Sequence, residues 1–148
     1  MADEARERCE FISQDLIVRL DLTLQGDVKA IDPAVQQIMG MVEAMQCAAG
    51  KSFEIETSIR EALANAIVHG CEGNRDRTVT ISVGCDESKG MIIVVRDPGA
   101  GFDPSKLPSP VVGQQLFSDH GRGIFLINQL MDEVQFRDGG TEIWMRKK

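Results

Sequence analysis

The stretch Glu61-Ala-Leu-Ala-Asn65-Ala-Ile-Val-His69 decides how this chain is interpreted, together with two shorter stretches that follow it. These are Asp97-Pro-Gly99-Ala-Gly101-Phe-Asp103 and His120-Gly121-Arg-Gly123-Ile-Phe-Leu-Ile. Each stretch alone is a weak signal. In this order they supply a carboxylate and a carboxamide on one helix, an acid beside a glycine turn, and a helix start flanked by glycines. A site that holds a nucleotide and a divalent cation needs those parts.

The first stretch places Glu61 and Asn65 side by side, because residues four apart share one face of a helix. Ile59, Leu63 and Ile67 lie on the other face and predict its packing into a core. The Asn65 side chain offers a neutral oxygen to a hard cation such as magnesium. Glu61 is a candidate general base. For an isolated pair of this kind, a solvated helix face is the favoured alternative.

The second stretch places Asp97 at the end of an apolar strand, where an unpaired charge is costly. A ligand with N–H groups, such as an amino-substituted purine, would offset that cost. Gly99 and Gly101 permit backbone conformations that other residues avoid, so a ligand can approach closely. The alternative is an ordinary turn after an edge strand.

The third stretch, with Gly121, Arg122 and Gly123 before an apolar helix, predicts an anion site. Free N–H groups at a helix start and the helix dipole together attract phosphates. Arg122 either adds positive charge there or faces solvent. The alternative is a flexible joint between loop and helix. The chain contains no GxxxxGK[ST] phosphate loop, and no GxGxxG follows the first strand.

Hydrophobic periodicity predicts an α+β fold. Strands are expected around residues 20–24, 79–85, 91–95, 134–136 and 143–145, and helices over about 33–49, 54–71 and 121–131. Asp32 before Pro33 predicts the N-cap of the first helix. Residues 98–120 predict a long loop or lid. We expect a two-layer α/β sandwich, in which helices cover one face of a mixed, mostly antiparallel sheet.

Composition narrows the class of protein. The chain has 148 residues, of which 43% are hydrophobic and 26% charged, as in an ordinary globular domain. A net charge of −7 gives no basic surface for nucleic acid. The four cysteines form no CxxC pair and predict reduced thiols. No apolar run approaches the roughly 20 residues that span a bilayer. We therefore expect a soluble, cytoplasmic protein.

The ordered set ExxxN, DxGxG and GxG-helix resembles the three ATP-binding boxes of the GHKL ATPases, which include gyrase, histidine kinases and MutL. Within that superfamily the chain resembles the bacterial anti-sigma factor serine kinases. The closer marks are Glu61-Ala-x-x-Asn65-Ala-x-x-His69, Leu130-Met131-Asp132-Glu133-Val134 and Gly140-Thr141-Glu142-Ile143. The similarity spans nearly the whole chain from about residue 16, so residues 16–148 are expected to form the ATPase domain and 1–15 an N-terminal extension.

The resemblance implies a role for individual residues. Asn65 would bind the magnesium that bridges the ATP phosphates, and Glu61 would be the catalytic base. Asp97 would accept a hydrogen bond from the adenine amino group, and Thr141 would lie near the adenine. Gly99 and Gly101 would shape that wall, while Gly121, Arg122 and Gly123 would face the phosphates.

The resemblance also implies a reaction, which is transfer of the ATP γ-phosphoryl group to a serine of an anti-sigma antagonist with a STAS fold. The kinase would sequester a sigma factor, would act as a homodimer, and would contact neither nucleic acid nor membrane. Three alternatives remain. The chain is a nucleotide-gated binding protein without kinase activity, the catalytic domain of a histidine kinase, or a structural domain in which the motifs are coincidental.

Overall fold

The computed structural model describes residues 16–47, 50–86, 90–99 and 119–148, with side chains from Arg19 in the first strand and from Gly123 in the last helix. The elements in chain order are β1 (Leu16–Gln25), α1 (Ile31–Ala44), α2 (Ser52–Asn65), β2 (Thr78–Asp86), β3 (Gly90–Arg96), α3 (Asp119–Leu130), β4 (Glu133–Arg137) and β5 (Glu142–Lys147). Short 3-10 turns cover Val28–Ala30 and Asp138–Gly140, and a π-helical turn covers Ala66–Gly70.

The five strands form one sheet in the order β1-β2-β3-β5-β4. All four pairings are antiparallel. The predicted α+β sandwich is confirmed. The sheet was expected to be mixed, but no two of the described strands pair in parallel. The predicted strands and helices all occur, with ends displaced by a few residues.

The helices bury their apolar faces against one side of the sheet. α2 packs against both α1 and α3. Fully buried side chains on α1 and α2 meet the alternate residues of β3 that point the same way, and the members of this core include Val35, Ile38, Ile59, Leu63, Met91, Ile93 and Val95. Each such aliphatic side chain contributes roughly 1.5–3 kcal/mol by leaving water. The helical spacing of the sequence therefore identified the correct core face.

A second, smaller apolar cluster occupies the opposite side of the sheet and consists of Ile92, Val94 and Trp144. The indole N–H of Trp144 donates to Oε1 of Glu142 at 2.5 Å, and the Arg137 guanidinium lies 4.1 Å from the ring centroid. β3 is therefore buried on both faces. This explains why its sequence is an uninterrupted aliphatic run rather than an alternating one.

The predicted N-cap of the first helix is wrong. The chain makes a 3-10 turn before α1, and the carboxylate of Asp27 accepts a hydrogen bond from the N–H of Lys29 there. Asp32 consequently lies inside the first turn of α1, where its negative charge still interacts favourably with the helix dipole. Its carboxylate pairs with Arg60 of α2 at 2.9 Å, so it joins two helices instead of capping one.

The prediction of reduced thiols is wrong for two of the cysteines. Cys47 and Cys85 form a disulfide, with Cα atoms 5.9 Å apart and a separation of 38 positions in sequence. Cys71 is free and buried, and Cys9 lies outside the described residues. The spacing of the cysteines in the sequence could not show that Cys47, which follows α1, lies next to Cys85, near the end of β2.

The predicted long loop lies mostly outside the described residues, since residues 100–118 are not among them. Within the described part of the chain, no helix has both the length and the apolar character that crossing a membrane requires.

Reduction of the Cys47–Cys85 disulfide should lower the free energy of unfolding by about 3–4 kcal/mol, because the unfolded chain regains the freedom of a 38-residue loop. Urea unfolding followed with and without a thiol reductant measures the change. The variant Cys47→Ser is the control, because its midpoint should match that of the reduced protein and ignore the reductant. An unchanged midpoint in the reduced wild type would contradict the stabilising role of the bond.

Candidate nucleotide-binding site

Asp97 and Thr141 are neighbours because of the register between β3 and β5. Arg96 pairs with Glu142 across the two strands. Asp97, which follows Arg96, and Thr141, which precedes Glu142, therefore meet at the end of the ladder. The N–H of Asp97 donates to the carbonyl oxygen of Thr141 at 2.9 Å. The hydroxyl of Thr141 in turn donates to the carbonyl of Asp138 at 2.9 Å. The backbone at both residues is thereby held in place.

The Asp97 carboxylate is partly buried and has one local hydrogen bond. Its Oδ1 accepts from the N–H of Gly99 at 2.8 Å. Burial raises the pKa of this carboxyl above its ordinary value, and the Gly99 hydrogen bond opposes that effect only in part. A carboxylate in this setting gains from an additional N–H donor, which a ligand in the adjoining cleft can supply.

That cleft lies between α2, the π turn, α3 and the ends of β3 and β5, and its volume is about 490 Å³ including space open to solvent. The residues that line it are Ala62, Asn65, Ala66, His69, Gly70, Val95, Asp97, Ile124, Phe136, Gly140, Thr141 and Ile143. Apolar walls with a few convergent polar groups are typical of small-molecule sites. A flat heteroaromatic ring with an exocyclic amino group matches this lining.

Glu61 and Asn65 lie on the last turns of α2, beneath α3. A Cβ atom added to Gly123 of α3 would lie 2.9 Å from Oε2 of Glu61 and 3.2 Å from Nδ2 of Asn65. Both distances are shorter than ordinary contacts. A side chain at position 123 would therefore push α3 away from the polar pair, and glycine allows the close approach. The next residue, Ile124, is buried and lines the cleft. Glu61, Asn65 and Gly123 therefore form one cluster, with Asn65 at its border with the cleft.

The expected helix start at Gly121 is displaced, since α3 begins at Asp119. Gly121 and Arg122 lie in its first turns, and Gly123 follows within the same helix. Helical conformation is open to glycine as to other residues, so the glycines do not delay the helix. Gly101 lies outside the described residues. The phosphate-binding roles of Gly121, Arg122 and Gly123 stay predictions, as does the place of Gly101 in the adenine wall.

The structure adds residues to the site that the sequence reasoning did not assign to it. Val95, Phe136 and Ile143 supply apolar walls, and Gly70 closes one side. A signal for two of them was present. Val95 lies two residues before Asp97, and Ile143 two residues after Thr141, so the period of a strand directs each pair to the same face.

Within the described part of the chain, neither Glu61 nor Asn65 belongs to a preformed metal cluster. Among the described residues, no group of three or more His, Cys, Asp or Glu side chains could hold a metal ion. Magnesium needs no such cage when it binds with a nucleotide, because it keeps several waters and takes one or two protein ligands along with substrate phosphates. The carboxamide of Asn65 beside the carboxylate of Glu61 fits that mode of binding.

The sequence is similar to known proteins over most of its length. Residues 24–147 match the family described as the histidine kinase-like ATPase domain. The chain is 36% identical over 132 residues to the anti-sigma F factor of Bacillus thuringiensis strain Al Hakam. That alignment covers 85% of this chain and 80% of the relative. It is also 34% identical over 100 residues to the anti-sigma F factor of Priestia megaterium, covering 64% of this chain and 67% of that protein.

The raised pKa of Asp97 predicts how stability depends on pH. A carboxyl whose pKa is higher in the folded state favours folding when it is protonated. Its contribution to the free energy of unfolding is therefore lost as the pH rises from the ordinary pKa of 3.8 through the pKa of the folded state. Asp97→Asn keeps an oxygen for the Gly99 N–H and removes the charge. It should therefore raise the free energy of unfolding at pH 7, with a gain that shrinks toward pH 3.

Urea unfolding of both proteins between pH 3 and pH 8 measures this difference. Asp32→Asn, in the first turn of α1, is the matched control and should show no such gain. A variant at position 97 that is less stable than the wild type at pH 7 would contradict the prediction.

Proposed function

Since the chain belongs to the histidine kinase-like ATPase family, as its motifs predicted, we propose that it is an anti-sigma factor serine kinase. In this proposal it binds ATP with Mg2+ in the cleft, sequesters a sigma factor in the cytoplasm and phosphorylates a serine or threonine of a STAS-domain antagonist. Family membership itself implies ATP binding. The observation that carries the proposal is the position of Asp97 in an apolar cleft that leads to Asn65 and Glu61.

The adenine end of the proposed site is built around Asp97. Its second carboxylate oxygen accepts a hydrogen bond from the amino group of the base, and Thr141, the residue before β5, lies beside it. Val95, Phe136 and Ile143 exclude water from the ring faces. A buried acceptor of this kind rejects a base that lacks the donor, because both polar groups then stay unpaired.

The phosphate end of the proposed site lies where α2 meets α3. Asn65 would hold the magnesium ion through its amide oxygen, and Gly121, Arg122 and Gly123 would face the phosphates. Gly99 and Gly101 are proposed to shape the adenine wall rather than this end. Bound Mg2+ supplies charge neutralisation at the transferred phosphoryl group. Glu61 takes the proton of the attacking hydroxyl group, a contribution typically worth about 10²–10⁴-fold in rate.

The proposed partners follow from the relatives and from the resemblance of the motifs. The matched proteins are named anti-sigma F factors, which supports a sigma factor as the sequestered partner. The STAS-domain antagonist and the homodimer are proposed from the family resemblance. The negative net charge of the chain supports a protein rather than a nucleic-acid partner.

Asp97→Asn should weaken ADP binding by about 10- to 100-fold, because it removes a hydrogen bond to a charged acceptor worth roughly 1.5–3 kcal/mol. Titration calorimetry with ADP and Mg2+ measures the affinity. Asp32→Asn should bind like the wild type. Equal affinities of the position 97 variant and the wild type would contradict the role of Asp97.

Glu61→Gln should lower the rate of phosphoryl transfer by about 10²–10⁴-fold, whereas its affinity for ADP should change little. The assay follows transfer from labelled ATP to a purified STAS-domain antagonist from the same genome. Glu56→Gln, on the same helix and paired with Arg60, is the control. Full transfer by the Glu61 variant would remove it as the base. A wild type that binds ATP and a sigma factor but transfers nothing would be a nucleotide-gated binding protein instead.

A further inference from the structure

The helix that carries Glu61 and Asn65 does not end as an ordinary α-helix. It continues into the π-helical turn Ala66–Gly70. The N–H of Cys71 reaches the carbonyl of Ala66 at 3.1 Å, five residues back, as well as that of Ile67 at 3.2 Å. π turns are rare, and they occur frequently at functional sites. Here the wider turn brings the backbone of Gly70 against the end of β3.

Gly70 touches Asp97 directly. A Cβ atom added to Gly70 would lie 2.5 Å from both Cβ and Cγ of Asp97 and 2.6 Å from its Oδ1. A Cβ atom added to Gly99 would lie 2.8 Å from the Cα atom of Gly70. The two glycines therefore pack backbone against backbone around the carboxylate. No side chain fits at position 70 unless Asp97 moves.

Arg77 holds this turn from the far side of the loop that links the π turn to β2. Its Nη1 donates to the carbonyl oxygen of Gly70 at 3.3 Å. The backbone of Arg77 is itself tied down, because its carbonyl accepts from the N–H of Gly26 at 2.8 Å. The loop also packs closely on β1, where a Cβ atom on Gly26 would lie 2.6 Å from the carbonyl oxygen of Asn74. Arg77 thus links the end of β1 to the turn that contacts Asp97.

We propose that Gly70 and Arg77 are positioning residues that set the place of the Asp97 carboxylate and thereby the selection of a 6-aminopurine base. The proposal rests on the proposed function, in which Asp97 accepts a hydrogen bond from the base. Adenine presents an amino donor to this carboxylate, whereas hypoxanthine presents a carbonyl oxygen at the same place. Discrimination between the two bases depends on a carboxylate within hydrogen-bond reach, and a displaced carboxylate loses it.

The ratio of the affinity for ADP to the affinity for IDP distinguishes a displaced Asp97 carboxylate from a general loss of stability. A variant that is merely less stable binds both nucleotides normally as long as it is folded, so the ratio stays at the wild-type value. A variant in which Asp97 is displaced loses affinity for ADP selectively, since IDP has a carbonyl oxygen in place of the amino group that the carboxylate accepts from. Its ratio falls toward one.

The experiment measures both affinities by calorimetry, in the presence of Mg2+, for the wild type, Arg77→Met and Gly70→Ala. The wild type should prefer ADP at least about tenfold. Arg77→Met removes one hydrogen bond from an exposed side chain and should lower the ratio by about 2- to 10-fold. Gly70→Ala should abolish the preference. Arg75→Met is the matched control from the same loop, because Arg75 pairs with Asp27 at 2.8 Å and should keep the wild-type ratio.

Urea unfolding of each variant shows whether it is folded under the binding conditions. Arg77→Met tests the proposal even where Gly70→Ala does not fold. A wild type that prefers ADP, with the same preference in folded Arg77→Met, would overturn the positioning role and leave the proposed function intact. A folded wild type that binds neither nucleotide would overturn the proposed function and the positioning role together.

Discussion

The antiparallel pairing of β3 with β5 is the constraint on which both the core and the site depend. It sets Ile93 opposite Met145 and Val95 opposite Ile143, all on the side of the sheet that the helices cover. The same register carries Asp97 to Thr141. A slip of one residue would turn the apolar set to the other face and separate these two residues. The core and the candidate site therefore depend on one ladder of hydrogen bonds.

The sequence predicted the elements well because each had a clear period. Alternation at Val79, Ile81 and Val83 identified β2, and helical spacing identified α1 and α2. The motifs also selected side chains that do converge, since Asn65, Asp97 and Thr141 line one cleft although they come from three separate elements. A set of motifs in a fixed order carries this information because it reflects the whole fold, whereas each motif describes only a local turn.

What the sequence could not predict depends on tertiary packing. Asp32 looked like a cap, yet the 3-10 turn before α1 moved the helix start ahead of it. Nothing in the pattern around Gly70 marked a π turn, because the positions of its apolar residues suit an α-helix equally well. The Cys47–Cys85 disulfide joins residues 38 apart whose proximity follows only from how α1 lies on the sheet.

Trp144 gives the molecule an optical property that follows from its place on the sheet. It is the only tryptophan, and the chain has no tyrosine, so fluorescence excited at the red edge of the absorption band comes from this one ring. The ring lies under a guanidinium group and donates its N–H to a buried carboxylate. Its neighbour Ile143 faces the cleft on the other side of the same strand. Emission from the unlabelled protein therefore reports the state of β5, one residue away from the wall of the cleft.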